Sequence, residues 1–405
     1  MKMAHLTLVQ YLQEVSGALS TEDGDHLAEL VSYRHPHIQN PRLQLEDAES
    51  KCRKWIDQPF DEVVTAHLRL LWAAANNNYA EAYTCQAAAL QSFLKLFQAL
   101  KETNWPLPVM YTLILDLRTF AKWADKQQAH TKSGKPDEKL EKAADLLMNC
   151  FRACVADTRA SFEVTKRWGT LPIVNNLFKI YFQINKVQLC KPLFRAIQAS
   201  NLKDNFKVSH LVTYKYYLGR KALFDGSNKE ATENLRFAFE RCHRDNKRNK
   251  RLVLIFLVPV MMLQGRLPRP EVLQKYSLVQ FMDIVTAVRQ GNLLLLNSAL
   301  AKHQEFFIRM GVYLILEKLK IIIYRNLFKK VYTILNTHQI PIASLLAALR
   351  MMQLDGVDPD ETQCIVANLV DKGYIRGYIS FQHQKLVVSK KDPFPNISTL
   401  LAANA

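Results

Sequence analysis

IIIYRNLFKKVYTIL (321–335), PIASLLAALRMM (341–352) and DPDETQCIVANLVDKG (358–373) are followed by YIRGYIS (374–380) and KLVVS (385–389). The first three carry apolar residues at helical spacing, and their punctuation agrees with that reading. Pro341 can open a helix because its missing N–H is not needed there. Asp358, with Glu361 three residues on, caps the third segment, and Gly373 stops it. The last two segments alternate polar and apolar residues around FQHQ (381–384) and read as a hairpin. Three helices and a hairpin in this order make a winged helix, with the third helix and the wing on one face.

Upstream, apolar residues recur at helical spacing through most of residues 60 to 335, as in Leu68, Leu71, Trp72 and Ala75, or Leu90, Phe93, Leu94 and Phe97. Short polar breaks separate the segments, which reads as stacked helical hairpins. In YYLGRKALFDGSNKEATENLRFAFERC (216–242), Leu218 and Gly219 precede Ala231 and Ala238 at spacings that let two helices approach closely, as in tetratricopeptide-type (TPR-like) repeats. No strict 34-residue register persists, so the expectation is a degenerate all-α helical-repeat solenoid. The expected domains are N-terminal helical repeats at 1–205, further repeats at 206–320, a winged helix at 321–395 and a tail at 396–405. Two polar stretches interrupt the pattern: 34–60, with Pro36, Pro41 and Pro59, reads as a loop with one short helix, and 125–136 as a mobile loop before a helix capped near Asp137.

Composition agrees. Glycine and proline number 12 and 15 among 405 residues, well below the roughly 12% of average usage, so material for hairpins and glycine-rich loops is scarce. Lysine and arginine exceed aspartate and glutamate by 54 to 37, a net charge of +17. Such a surface attracts phosphate or acidic proteins and disfavours an acidic small-molecule enzyme. The seven cysteines show no framework spacing, which suits a reducing compartment. The N-terminal MKMAHLTLVQYLQEV reads as an amphipathic helix rather than a secretory signal. The longest apolar run, 252–263, falls short of the roughly 20 residues that span a bilayer, so it reads as a buried helix of a cytosolic or nuclear protein. No GxxxxGK[ST], GxGxxG after a strand, HExxH or GxSxG occurs, so neither nucleotide chemistry nor a cofactor is expected.

Helical repeats running into a C-terminal winged helix resemble the layout of PCI proteins, named for the proteasome lid, the COP9 signalosome and a translation initiation factor. Six segments extend the likeness: LEKAADLLMNCFRACVADTRAS (140–161), NNLFKIYFQINKVQLCKPLFRAI (175–197), VTYKYYLGRKALFD (212–225), NKRLVLIFLVPVMML (249–263), LEKLKIIIYRNLFKKVY (316–332) and LVVSKKDPFP (386–395). These are similar to the PCI subunits of TREX-two, a transcription-and-export complex. The resemblance implies a non-enzymatic scaffold for nuclear messenger RNA export. Its implied partners are a large germinal-centre-associated, Sac-type PCI scaffold subunit, paired winged helix to winged helix, and a small acidic DSS-type (Sem) protein. It further implies RNA or DNA binding without strong sequence specificity, indirect contact with nuclear pore components, no membrane partner, and residence in the nucleus, including the pore and envelope, with some in the cytoplasm. A subunit of another PCI assembly and a free winged-helix DNA regulator stay open as alternatives.

The candidate nucleic-acid contacts are Arg325, Lys329 and Lys330 on the first winged-helix helix, Lys372 and Arg376 leading into the hairpin, and Lys385, Lys390 and Lys391. Clustered cations release counterions from a phosphate backbone, and Tyr374, Tyr378, Phe381 and His383 could stack on bases. Against sequence-specific reading stand Asp355, Asp358, Asp360, Glu361 and Asp371, because a third helix that begins with acids would meet phosphates in a major groove. A second cluster, Arg244, Lys247, Arg248, Lys250 and Arg251 beside His243, could join Lys215, Arg220 and Lys221 in a basic belt for nucleic acid or an acidic partner, or be a nuclear localisation element or a solvated helix end. Cys150 with Cys154, and His35 with His37, lack companions at ligand spacing and read as core residues, so no metal is expected. The stripes Tyr214, Tyr216, Tyr217 and Phe224, and Phe306, Phe307, Tyr313 and Leu314, read as repeat core. Ile321 to Tyr324 and the wing residues Leu386 and Val388 are divided between core and partner interface.

Overall fold

The computed structural model describes residues 6–131, 135–158, 160–354 and 356–403. The chain divides into two compact units, 1–214 and 215–405, with the boundary falling inside one helix. The first holds α1 (Leu8–Ser20), α2 (Gly24–Leu30), α3 (Glu49–Cys52), α4 (Phe60–Ala75), α5 (Tyr79–Ala99), α6 (Leu107–Thr131), α7 (Glu138–Val155), α8 (Thr170–Gln183), α9 (Cys190–Gln198) and the start of α10 (Val208–Phe224). Most consecutive helices pack on one another, α4 on α5 and α5 on α6 most extensively, and α2 packs on α6. Their starts are written locally: Thr7 and Gln10 form a reciprocal capping box on α1, and Asn78 accepts from the Glu81 N–H at the start of α5. The inward stripes close over Phe93, Phe97, Phe120 and Phe178, all fully buried.

Two expectations for this unit need correction. Residues 125–131, read as loop, continue α6; Lys132, Ser133 and Gly134 lie outside the described residues, and Lys135 and Pro136 are non-helical as read. The cap of α7 comes from Asp125, whose carboxylate accepts from the backbone N–H of Lys139 and Leu140 at 2.9 and 3.0 Å, while Asp137 makes no cap hydrogen bond. A cap supplied by the preceding helix leaves no contiguous signature. The 34–60 stretch is loop with short helical turns, yet His37, Asn40, Leu43 and Cys52 within it are buried. His37 does have polar company: its ring nitrogens lie 3.2 Å from His35 and 2.9 Å from His67, and His35 lies 3.8 Å from the Glu29 carboxylate.

The second unit continues with α11 (Asn228–Arg241), α12 (Lys247–Leu263), α13 (Pro270–Lys275), α14 (Met282–Gln290), α15 (Leu293–Lys302), α16 (Gln304–Met310), α17 (Tyr313–Glu317) and α18 (Lys320–Leu335). Gly219 serves the close approach expected of it: a Cβ there would sit 2.7 Å from Leu235 Cγ, and Ala231 and Ala238 are fully buried beside it. The apolar run of α12 is core from Val253 to Val260, and no described helix is long and apolar enough to cross a membrane. Phe224 and Leu314, read as core, are 51% and 75% exposed, at the last residue of α10 and the second of α17.

The winged helix runs α18, β1 (Gln339–Pro341), α19 (Ile342–Met351), α20 (Pro359–Asp371), β2 (Gly377–Ser380) and β3 (Lys385–Val388). The antiparallel sheet has the order β1-β3-β2, with Ile340 opposite Leu386 and Ile379 also opposite Leu386. The hairpin and both of its strands match the reading. β1 was not expected, because three residues are too short for a period-two signal, and Pro341 is tolerated there on an edge strand. Asp358 caps α20 through the Glu361 N–H at 2.7 Å, and Gly373, at φ +71°, takes the left-handed turn after it. Phe328, Ile340, Leu345, Val366 and Leu369 form the module's core together with Leu386 and Val388. Of the residues divided between core and interface, Ile322, Ile323, Leu386 and Val388 are therefore core, and only Ile321 and Tyr324 are partly open. The tail carries α21 (Ile397–Ala403), with Phe394 and Ile397 buried ahead of and within it.

Candidate nucleic-acid and partner interface

The eight winged-helix cations separate into three groups. Lys329, Lys330, Lys372, Lys390 and Lys391 are exposed. Arg376 is exposed but pairs with Asp392 at 3.2 Å, and half-buried Lys385 reaches the Gln339 side-chain oxygen at 3.3 Å. Arg325 corrects the reading: it is 7% exposed, and its Nη2 donates to the carbonyls of Phe394 and Pro395, both at 2.8 Å. Its guanidinium also lies 5.8 Å from the Phe394 ring centroid. A cation closed over in this way holds the segment after the wing and is withheld from any phosphate. Burial pushes its pKa down from the ordinary arginine value.

Among the aromatic candidates, Tyr378 and Phe381 are 62% and 70% exposed, and His383 is exposed. Tyr374 is half-buried off the wing. Asp358, Asp360 and Glu361 all stand exposed at the N-terminal end of α20, and Asp355 lies outside the described residues. The wing thus combines exposed rings and lysines, while the end of the third helix that would meet bases presents carboxylates.

The second cluster does not form a continuous belt. Lys221 pairs with Asp225, and Arg220 stacks on Phe256 at 4.5 Å. Lys250 donates to the Phe239 carbonyl at 2.9 Å, Arg251 lies against Phe306 at 5.8 Å, and Lys215 against Phe237 at 5.8 Å. Arg244, Lys247 and Arg248 remain exposed around the start of α12, with His243 3.6 Å from Asp245. Cations at a helix N-terminus oppose the helix dipole, so they add nothing to that helix. Cys150 and Cys154 are fully buried, where burial raises both thiols, Cys150 to about 12, and no described group of His, Cys, Asp or Glu is arranged to hold a metal.

Folding also assembles a site that no local pattern announced. A groove of about 1120 Å³ in the second unit is floored by Leu263, Ile321, Tyr324, Ile365 and Tyr374. Lys229, Arg266, Lys318, Lys320 and Lys372 line it against one carboxylate, Glu317, which holds Lys320 at 2.8 Å. Its cations come from positions spread between 229 and 372, so only the fold of repeats onto winged helix gathers them. An apolar floor beneath a cationic rim suits an extended acidic chain with apolar anchors.

The repeats, winged helix and groove together define a PCI protein, and residues 300–390 match the model of the PCI domain. The chain is 56% identical over 398 residues to "PCI domain-containing protein 2" of Danio rerio, covering 98% of this chain and all of that protein. It is 47% identical to "PCI domain-containing protein 2 homolog" of Drosophila melanogaster, over 97% and 99% of the two chains. To "Enhanced ethylene response protein 5" of Arabidopsis thaliana it is 33% identical, over 98% and 97%. The chain belongs to the family of PCI domain-containing protein 2.

Proposed function

We propose that this chain is a non-enzymatic scaffold subunit of a TREX-two-type nuclear complex that couples transcription to messenger RNA export at nuclear pores. In this reading its winged helix pairs with that of a large Sac-type PCI subunit, and its groove holds a small acidic DSS-type protein. The exposed wing lysines and rings add nucleic-acid affinity without strong sequence specificity. The groove carries the reading: five cations over an apolar floor match an acidic, partly apolar strand better than a small substrate, and no catalytic constellation accompanies them. Exposed Ile334 on α18 and Met351 on α19 are the kind of surface a second folded module covers.

The test is reconstitution. The full chain is mixed with a Sac-type scaffold subunit and an acidic DSS-type protein, and complex formation is followed by size exclusion with light scattering. A ternary complex is expected, with acidic-protein binding lost on Lys318→Glu with Lys372→Glu while scaffold pairing survives. Failure of both partners to bind, or co-elution with proteasome-lid or signalosome subunits instead, would reject this assignment.

A further inference from the structure

The first unit contains a concentration of positive charge that the proposed function does not use. Arg118 on α6 donates from Nε to the Asn176 side chain on α8 at 3.1 Å. Lys179 follows Asn176 by three residues, so it lies on the same face of α8. From the other side, the start of α10 is fastened to α8 by Asn175, whose Nδ2 donates to the His210 carbonyl at 2.9 Å. The His210 ring lies 6.2 Å from that of Tyr111, one more residue of α6. Lys207 sits on the turn that opens α10. Arg34, in the loop after α2, reaches the Asp116 carboxylate at 3.7 Å, two residues before Arg118.

Arg118, Arg34, Lys207 and His210 thus gather about Lys179. Asp116 does not pair with Lys179: it is 2% exposed and already holds Arg34 and the Tyr33 N–H at 2.8 Å. Lys179 is half-buried and makes no hydrogen bond or ion pair with any described residue. Burial, then repulsion from Arg118 and Arg34, pushes it down to about 8, and burial with Lys207 and Lys179 lowers His210. A half-buried ammonium facing like charges is an unfavourable arrangement unless something of opposite charge completes it.

We propose that the face shared by α6, α8 and the start of α10 binds a compact, multiply charged phosphate group, with Lys179 at its centre, Arg118 and Lys207 at its sides and His210 beneath Tyr111. A phosphate monoester or short polyphosphate fits better than a nucleic-acid backbone. The cations converge on one half-buried lysine, whereas a strand needs an extended, exposed track of them. This site is independent of the winged helix and of the groove in the second unit.

The experiment titrates the full-length chain with inorganic phosphate and with tripolyphosphate by calorimetry. An amine-acylation footprint is read in parallel by mass spectrometry. Saturable tripolyphosphate binding is expected, weakened about tenfold or more in Lys179→Met, which keeps the apolar stem and removes the charge. Lys207→Gln, at an exposed position that leaves the fold alone, is expected to weaken it several-fold. Lys179 is expected to be protected from acylation by tripolyphosphate while Lys229 is not. Absence of saturable binding, or affinity unchanged in both variants, overturns the site. Protection of Lys179 by a single-stranded oligonucleotide that displaces tripolyphosphate overturns the compact-phosphate assignment in favour of nucleic acid.

Discussion

Replacing Arg325 by methionine separates a structural cation from a binding one. The methionine keeps much of the stem but removes both donors that Nη2 extends to the carbonyls of Phe394 and Pro395, each at 2.8 Å. Both residues are buried, so their carbonyls would lose the cationic donor without gaining water. A buried acceptor left unpaired costs roughly 1–3 kcal/mol, and the guanidinium's own burial penalty, recovered on removal, offsets part of the sum. A net local loss of about 3 kcal/mol is expected, on the order of a hundredfold in the opening equilibrium. It should fall on the segment the arginine holds: the Arg376 N–H, which donates to the Pro393 carbonyl at 2.9 Å, the Ser389 N–H on the Arg376 carbonyl, and the Leu400 N–H of α21. Native-state hydrogen exchange of these three amides is the assay, with Lys329→Gln with Lys330→Gln as the comparison, because those lysines are exposed. Less than about fivefold acceleration in Arg325→Met, or equal acceleration in the lysine variant, would refute the reasoning.

Neutralising Lys390 and Lys391 to glutamine should reduce the dependence of log affinity on log salt by up to about 0.7 per lost single-strand contact, whereas Arg325→Met should leave that slope unchanged; a salt series with a generic oligonucleotide checks both. Gly291→Ala should destabilise the second unit by more than about 2 kcal/mol, since it combines φ +64° with a Cβ 2.5 Å from the Leu327 backbone nitrogen, whereas Gly226→Ala, at φ +83° in open space, should cost only about 1 kcal/mol in denaturant unfolding. Burial pushes His37 down to about 4 and His67 well below the usual histidine value. The unfolded chain therefore takes up these protons first, and stability falls as pH drops from about 6.5 toward 4, with His37 alone accounting for about 2 kcal/mol by pH 5. Asp116, raised to about 6 by burial, acts in the opposite sense by roughly 1 kcal/mol over the same range. The difference between wild type and His37→Gln in urea unfolding isolates the histidine, and it should shrink as the pH falls; a pH-independent difference would contradict this account.

The three candidate sites were legible to different degrees. The wing lysines could be found because Lys390 and Lys391 are adjacent in sequence and Lys329 and Lys330 occupy the open end of one helical stripe. Arg325 sits on that same helix with nothing local to distinguish it, since the carbonyls that close over it lie 69 and 70 residues away. The groove was legible only in fragments, with Lys372 and Tyr374 read as nucleic-acid contacts and Ile321 to Tyr324 divided between core and interface, and the Lys179 cluster was not legible at all. Their members are scattered over helices and the loops and turns between them, Arg34, Lys207, Arg266 and Lys318 among the latter, and only the packing of the chain brings them together.

What this sequence determined by itself is what short-range chemistry writes. Asp358 and Gly373 bound the third helix, Gly219 with Ala231 and Ala238 sets one close helix pair, and alternation through KLVVS makes a strand. The cap, the stop and the strand depend on backbone hydrogen bonds and side-chain spacing within a few residues, and the helix pair on small residues within one helical hairpin. Tertiary structure alone decided that Asp125 caps the following helix, that β1 exists as an edge of the sheet, that Arg325 is a structural clamp and that Lys179 faces other cations. Whether a charge meets water, a carbonyl or another charge depends on which distant surface covers it, and that is settled only when the helices pack.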